Sequence, residues 1–385
     1  MKRSVALLDL KRQYLLMKKE IDAALAAALE EQHWILGPRV GAFEKTMADY
    51  LGLPHAVGTA SGTDSLVVAL RALAITLKQK EYFEKEDLII TTPFTFTATG
   101  DAILRSGATP LFVDIVPETF NIDTRQVREC LASGTFKRII GILPVHLFGQ
   151  SADMDEIMEL AGKYGLFVVE DVAQSLGGTW RGKQLGTIGA AGAFSFFPSK
   201  NLGGFGDGGM VATGDAHLAE VMRMLTKHGG RDKYNVDHIG YNSRLDTLQA
   251  AVLQARFAYL DDFNRKRRAV AAVYARTLSG IPGVRLPGSS APAGHVYNQY
   301  TIRIENGKRD DVAQRLKTAG IATAVYYPVA LHKMKVFQGR CSVWQELGAS
   351  EKACSEVISI PVDPLLNNEE IDYVWHSFKE AVISK

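Results

Sequence analysis

Between residues 88 and 213 the chain repeats one rhythm: a short apolar run, then a segment of helical or turn character. The runs are LIITTPF (88–94), PLFVDI (110–115), RIIGILPV (138–145), LFVVED (166–171), GAFSFF (192–197) and GGMVAT (208–213). Helical segments fall at 97–106, 124–132 and 153–164. Strands alternating with helices predict an α/β unit around a mostly parallel central sheet. The runs are almost continuously apolar, as expected where helices cover both faces of the sheet.

A chain of 385 residues exceeds the usual size of one hydrophobic core. Two units are therefore expected, a large domain over 1–255 and a smaller α+β domain over 256–385. Helices are predicted at 11–31, 63–78 and 244–279. The last of these opens on Leu245, Leu248, Ala251, Val252 and Ala255, then turns basic at Arg265–Arg268, which reads as a solvated face. A Pro/Gly/Ser-rich break (281–294) precedes a strand at 297–304 and helices near 309–319 and 368–382.

The formal net charge of +2 argues against nucleic acid or a membrane surface as partner. Cys130, Cys341 and Cys354 are odd in number, widely spaced and without a CxxC pair. They read as reduced thiols of a cytoplasmic protein, neither a disulfide frame nor a zinc site, and no metal is expected. The apolar run in MKRSVALLDLKRQY is too short for a signal peptide. No apolar stretch approaches the roughly 18 residues of a membrane span.

In an α/β sheet, ligands collect outside the carboxyl ends of the strands. Four informative segments bear on such ends. In SGTDSL (61–66), Gly62 lets the backbone approach a ligand and the first helix amides form an anion site. The plainer reading is an N-cap by Ser61 or Thr63. In FVVEDVAQS (167–175), Asp171 follows an apolar strand and can pair with a protonated pyridine nitrogen, while Gln174 can reach a ring oxygen. An ordinary loop aspartate capping a helix is the alternative. In FSFFPSKNLGGFGDGGM (194–210), Ser195 can donate to a phosphate. Lys200, in a dry glycine-lined place, gains a depressed pKa and becomes an amine nucleophile or proton shuttle. The alternative is a surface lysine on a turn. In PFTFTATG (93–100), Phe96 can stack on a planar ring or simply fill core.

The order and spacing of these segments resemble the DegT/DnrJ/StrS-type sugar aminotransferases, a branch of the fold type I enzymes that use pyridoxal 5′-phosphate (PLP). The resemblance runs almost end to end, through ILGPRVGAFEKTMADYLG, ASGTDSL, PFTFTATGDAIL, PLFVDIVPETFNID, PVHLFGQSADMDEI, VVEDVAQSLGG, FSFFPSKNLGGFGDGGM, HGGRDKYNVDHIGYNSRLDTLQAAVL, YYPVALH and VISIPVDP. It implies an aspartate aminotransferase-like fold. It also implies that Lys200 holds PLP as a Schiff base, with Asp171 at the pyridinium and Gln174 at the ring oxygen. Ser195, Gly62 and Thr63 would hold the phosphate, and Phe96 would cover the ring. Asn242 would reach the phosphate of a neighbouring subunit's cofactor, which implies a homodimer with shared active sites.

The implied reaction transfers an amino group from L-glutamate, leaving 2-oxoglutarate, to a nucleotide-linked keto-sugar. NSRLDTLQA is more like members that act at carbon 3, while carbon 4 amination is the alternative. Tyr326, Tyr327, His332 and Arg231 are the candidate substrate contacts. A dehydratase of the same family would carry His in place of Lys200. A noncatalytic regulator on this scaffold would be expected to lose Lys200, Asp171 or the phosphate cradle. A Rossmann dehydrogenase lacks support, because no GxGxxG follows the first strand. One departure from the family pattern is ITLKQKEYFEKED (75–87), longer and more charged than usual, which is expected to extend a surface helix or loop.

Overall fold

The computed structural model describes residues 4–288 and 292–383. The break at 281–294 therefore includes three positions, 289–291, that lie outside the described residues.

An eight-stranded sheet forms the centre. Its order is His55–Thr59, Gly209–Thr213, Ala191–Ser195, Phe167–Asp171, Ile139–Ile142, Leu88–Thr91, Thr109–Phe112 and Ser342–Val343. Gly209–Thr213 is antiparallel to both neighbours, and every other pairing is parallel. That strand alone runs against the rest. All six apolar runs become strands of this sheet, so the expected α/β architecture is present. His55–Thr59 is an additional strand that the pattern reading did not anticipate, because HAVGT has no extended apolar run.

Helix Gly62–Lys78 covers one face of the sheet. Its residues Ser65–Ala74 are all buried, because Ala216–Thr226, another helix, packs on its far side. A leucine buried this way contributes about 1.5–3 kcal/mol. Two expected helices are each divided. The segment at 11–31 is Leu10–Leu16 and Lys18–Glu31, broken at Met17. The segment at 244–279 is Thr247–Phe257 and Leu260–Thr277. Helices Pro38–Leu51 and Gly348–Glu356 were not foreseen.

A three-stranded antiparallel sheet, Val284–Arg285, Tyr300–Ile304 and Val357–Ile360, forms the second unit with helices Arg309–Thr318 and Asn368–Ile383. The division expected at 255/256 falls inside helix Thr247–Phe257. The chain also crosses it in both directions. Val5 joins the second unit's core and bridges Ile321, while Ser342–Val343 adds an edge strand to the large sheet.

Two other expectations need correction. The basic run is not wholly solvated: Arg267 is buried, while Arg265 and Lys266 pair with Asp262. The 75–87 insertion is only partly surface. Beyond Lys78 it buries Phe83 and carries Glu81, which binds both Arg71 and His238. No helix among the described residues is long and apolar enough to cross a membrane.

Candidate active site

A cavity of about 430 Å³ opens at the carboxyl edge of the sheet. Its size lies within the range of roughly 300–1,000 Å³ typical of small-molecule sites. Residues just beyond the ends of five strands supply its walls: Gly62 after His55–Thr59, Phe96 after Leu88–Thr91, Leu147 after Ile139–Ile142, Gln174 after Phe167–Asp171, and Lys200 after Ala191–Ser195. Thr63, Asp171, Ser195, Tyr326 and Tyr327 complete the predicted residues found there.

Ser61 caps helix Gly62–Lys78 by accepting from the Asp64 amide at 3.1 Å. The cap and the anion site are therefore compatible, since Gly62 and Thr63 still line the cavity. A Cβ added to Gly62 would lie 2.5 Å from Ser195 Cβ and 2.8 Å from its Oγ. Only glycine lets the helix start close against Ser195, which gives a compact cradle of hydroxyls and amides suited to phosphate.

Asp171 is buried, and its carboxylate is held by two donors. Thr99 Oγ1 donates to Oδ2 at 2.9 Å, and the Ala173 amide donates to Oδ1 at 3.1 Å. Burial pushes the Asp171 pKa above its usual value, against those two hydrogen bonds and the charge of Lys200. A cationic ring nitrogen beside it would favour the carboxylate. Burial likewise lowers the Lys200 amine to about 8, opposed by the negative charge of Asp171. A lysine in that range is partly neutral near physiological pH and can take up a proton.

Gln174 has its orientation set by a backbone contact. Its Oε1 accepts from the Phe148 amide at 2.7 Å, so its Nε2 faces Tyr327 and donates to the hydroxyl at 3.0 Å. Phe96 is exposed on the cavity rim, its ring 6.1 Å from that of Tyr327.

Three predicted residues lie outside this cavity. Asn242 lines a neighbouring cleft of about 730 Å³ that shares Ser61 and Asp207 with the first. His332 pairs with Glu351 at 2.9 Å, and exposed Arg231 pairs with Asp237 at 2.9 Å. The structure brings neither of these two to this cavity.

Several participants were missed. Thr99 holds Asp171 from inside helix Thr97–Arg105, where a threonine carries no motif signal. Glu170 and His146 form a buried pair at 3.0 Å behind the site. Glu170 was visible in the sequence as a carboxylate inside an apolar strand, which already demands a partner. Asp207 and Gln299 also line the cavity.

The residues present fit PLP: a phosphate cradle closed by Gly62, a buried carboxylate, an oriented amide and a half-buried lysine amine of lowered pKa share one cavity. This combination at the carboxyl edge of a mostly parallel sheet defines a PLP-dependent transaminase of fold type I. Comparison narrows the class. The chain belongs to the DegT/DnrJ/EryC1/StrS aminotransferase family, which it matches over residues 16–379. It is 42% identical over 379 residues to the pleiotropic regulatory protein of Geobacillus stearothermophilus, covering 98% of each chain. It is 40% identical over 376 residues to dTDP-3-amino-3,4,6-trideoxy-alpha-D-glucose transaminase of Streptomyces venezuelae, covering 98% of this chain and 96% of that one. The crystal structure of S. venezuelae DesV in complex with a ketimine intermediate superposes with a TM-score of 0.92 at 38% identity, covering 100% of both chains. The cofactor is PLP.

Proposed function

We propose that this transaminase moves an amino group from L-glutamate to carbon 3 of a nucleotide-linked keto-sugar, as a homodimer with shared active sites. The observation that carries the reading is Lys200 and Asp171 in one cavity with the Gly62–Ser195 cradle. Carbon 3 is favoured over carbon 4 by the 3-amino sugar named in the S. venezuelae relative. The regulatory name of the Geobacillus relative does not redirect it, because Lys200, Asp171 and the phosphate cradle are all retained here.

Bound PLP supplies an electron sink for the bond broken at the donor's α-carbon. Gly62, Thr63 and Ser195 would hold its phosphate, Asp171 its ring nitrogen, Gln174 its ring oxygen, and Phe96 one ring face. Lys200 Nζ takes the proton from the α-carbon in the first half-reaction. In the second it delivers one to the sugar carbon that receives nitrogen. Tyr326 and Tyr327 line the same cavity and are assigned to the sugar. Asn242, with Arg231 on the same segment, is assigned to the partner subunit's site.

The purified protein is expected to show a visible PLP band that L-glutamate bleaches. An unchanged band in Lys200→Ala, or no band after PLP addition, would sink the reading. Offering 3-amino and 4-amino sugar nucleotides with 2-oxoglutarate, and detecting glutamate by mass spectrometry, decides the carbon.

A further inference from the structure

Ser243 is only 1% exposed and joins two elements that face different cavities. Its hydroxyl accepts from the Ala60 amide at 3.3 Å and donates to Asp64 Oδ2 at 2.9 Å. Those two residues bracket the phosphate cradle, because Gly62 and Thr63 lie between them in the chain. On its other side Ser243 follows Asn242, which is exposed and lines the neighbouring cleft of about 730 Å³.

The cradle has other ties of its own. Ser61 Oγ accepts from the Asp64 amide at 3.1 Å, and the buried Ser65 Oγ lies 3.0 Å from the carbonyl oxygens of both Ser61 and Phe194. Phe194 precedes Ser195, so these contacts set the helix start against the strand that supplies the phosphate serine. The arm around Asn242 is held from behind. The Tyr241 amide donates to the Leu225 carbonyl at 2.7 Å, the Ser243 amide donates to the Thr226 carbonyl at 3.1 Å, and Asn242 bridges Lys227. Those contacts attach the arm to the end of helix Ala216–Thr226. The Ser243 hydroxyl fastens the front of the arm to the cradle.

Serine suits this place because one oxygen accepts and donates at once. The bond to Asp64 is charge-assisted and directional, so it sets where the arm stands relative to the first turn of helix Gly62–Lys78. Alanine would leave the Ala60 amide and the Asp64 carboxylate without this partner.

We infer that Ser243 is a positioning residue that acts between subunits: it ties the Asn242 arm to its own subunit's cradle and so sets the arm that completes the partner's cradle. This rests on the shared-site homodimer proposed above and goes beyond it by naming the bond that links the two phosphate sites.

Hybrid dimers, isolated through two different affinity tags, separate action on the partner from action within one chain. Only a subunit that keeps Lys200 gives the visible PLP band, so one Lys200→Ala subunit leaves a single reporting cavity. Wild type paired with Lys200→Ala is the reference. In the first hybrid, wild type is paired with a chain carrying both Lys200→Ala and Ser243→Ala, and the reporting cavity receives the altered arm. Its dissociation constant for PLP is expected to rise roughly 10-fold over the reference. In the second hybrid, Ser243→Ala is paired with Lys200→Ala, and the reporting cavity receives an intact arm. Its constant is expected to stay within about 3-fold of the reference. Ser243→Ala removes one oxygen and no carbon, so both hybrids are expected to fold. No loss in the first hybrid, or a loss in the second as large as in the first, overturns the assignment. The same two hybrids made with Asn242→Ala test the reading beneath it. Asn242→Ala weakening the partner's cavity while Ser243→Ala does not sinks the Ser243 assignment alone. A chain that sediments as a monomer, or an Asn242→Ala loss confined to its own chain, sinks the shared-site reading and the assignment together.

Discussion

Thr99 Oγ1 donates a 2.9 Å hydrogen bond to Oδ2 of Asp171, and Thr95 Oγ1 lies 3.0 Å behind Thr99. Because the Thr99 proton points to the carboxylate, the Thr95 hydroxyl donates to Thr99. A two-hydroxyl relay thus favours the ionised form of a carboxyl that burial pushes the other way. Thr99→Val removes the donor with little change in shape. A hydrogen bond to a charged group is worth about 1.5–3 kcal/mol, so kcat/KM is expected to fall roughly 10- to 100-fold. The acid limb of the pH–rate profile is expected to move to higher pH, since Asp171 then protonates more readily. Thr99→Ser restores both, and an unmoved acid limb in Thr99→Val would show that Thr99 only fills space.

Lys200 makes a second pH prediction, for the PLP-free protein. Its folded pKa is lowered by burial from 10.5 to about 8. Between those values the unfolded chain holds the proton and the folded chain does not. Unfolding therefore takes up a proton, and the Lys200 contribution to stability rises with pH across that window. Lys200→Met lacks this contribution. The difference in urea midpoint between variant and wild type is expected to favour the variant most near neutral pH and to shrink as pH rises through the window. A difference independent of pH would mean that the amine is not desolvated.

The cavity was legible where strand ends coincide with polar residues. Asp171 closes one apolar run and Ser195 interrupts another, and each is the last residue of its strand at the ligand edge of the sheet. The residues that hold those groups were not legible, because they work across long sequence separations. Thr99 meets Asp171 over 72 positions, and Asn298 meets Ser199 over 99. Arg267 was misread for a related reason. A basic run on a helix ordinarily faces water, and only the crossing of the 297–298 and 362 segments over Leu260–Thr277 buries this member of it. Helix Pro38–Leu51 begins on the proline of a Gly-Pro pair, which on its own suggests a break, yet proline at the first helical turn is well tolerated.

Glu170 precedes Asp171 in the same strand and holds the turn at 186–189. Its Oε1 accepts from the amides of Ile188 and Gly189 at 2.7 and 2.8 Å. Its Oε2 accepts from the Gly186 amide at 2.8 Å and meets His146 Nε2 at 3.0 Å. His146 Nδ1 accepts from the Ala152 amide at 3.1 Å, so Nε2 carries the ring proton. Burial alone would push Glu170 up, but His146 and the amides outweigh it and hold the carboxyl below its usual value. Glu170→Gln turns an NH₂ group toward these donors and is expected to cost about 3 kcal/mol in urea denaturation at neutral pH. A depressed carboxylate contributes stability above its unfolded pKa and loses it as pH falls through the folded value. The gap between variant and wild type should accordingly narrow on acidification below about pH 4. A gap that persists there would assign the loss to packing alone.

Arg71 fastens the charged insertion to the segment that carries Arg231 and Asn242. Its side chain is fully buried. It donates to the Glu81 carbonyl at 2.5 Å, the Tyr241 hydroxyl at 2.6 Å and the Ile239 carbonyl at 2.9 Å, and it lies 3.6 Å over the Tyr82 ring. Glu81 completes the clamp by taking His238 Nδ1 at 2.7 Å. Arg71→Ala strands these acceptors and leaves a hole beneath the segment, while touching none of the cavity residues. The segment, which exposes Tyr234, Val236 and Ile239, is expected to become the first site of limited proteolysis. PLP absorbance at a fixed protein concentration should persist if the subunit's own cofactor contacts are independent of the clamp. Cleavage at the same rate in variant and wild type would show that the insertion merely rests on the segment, whereas faster cleavage confined to about residues 228–241 would show that it holds the segment in place.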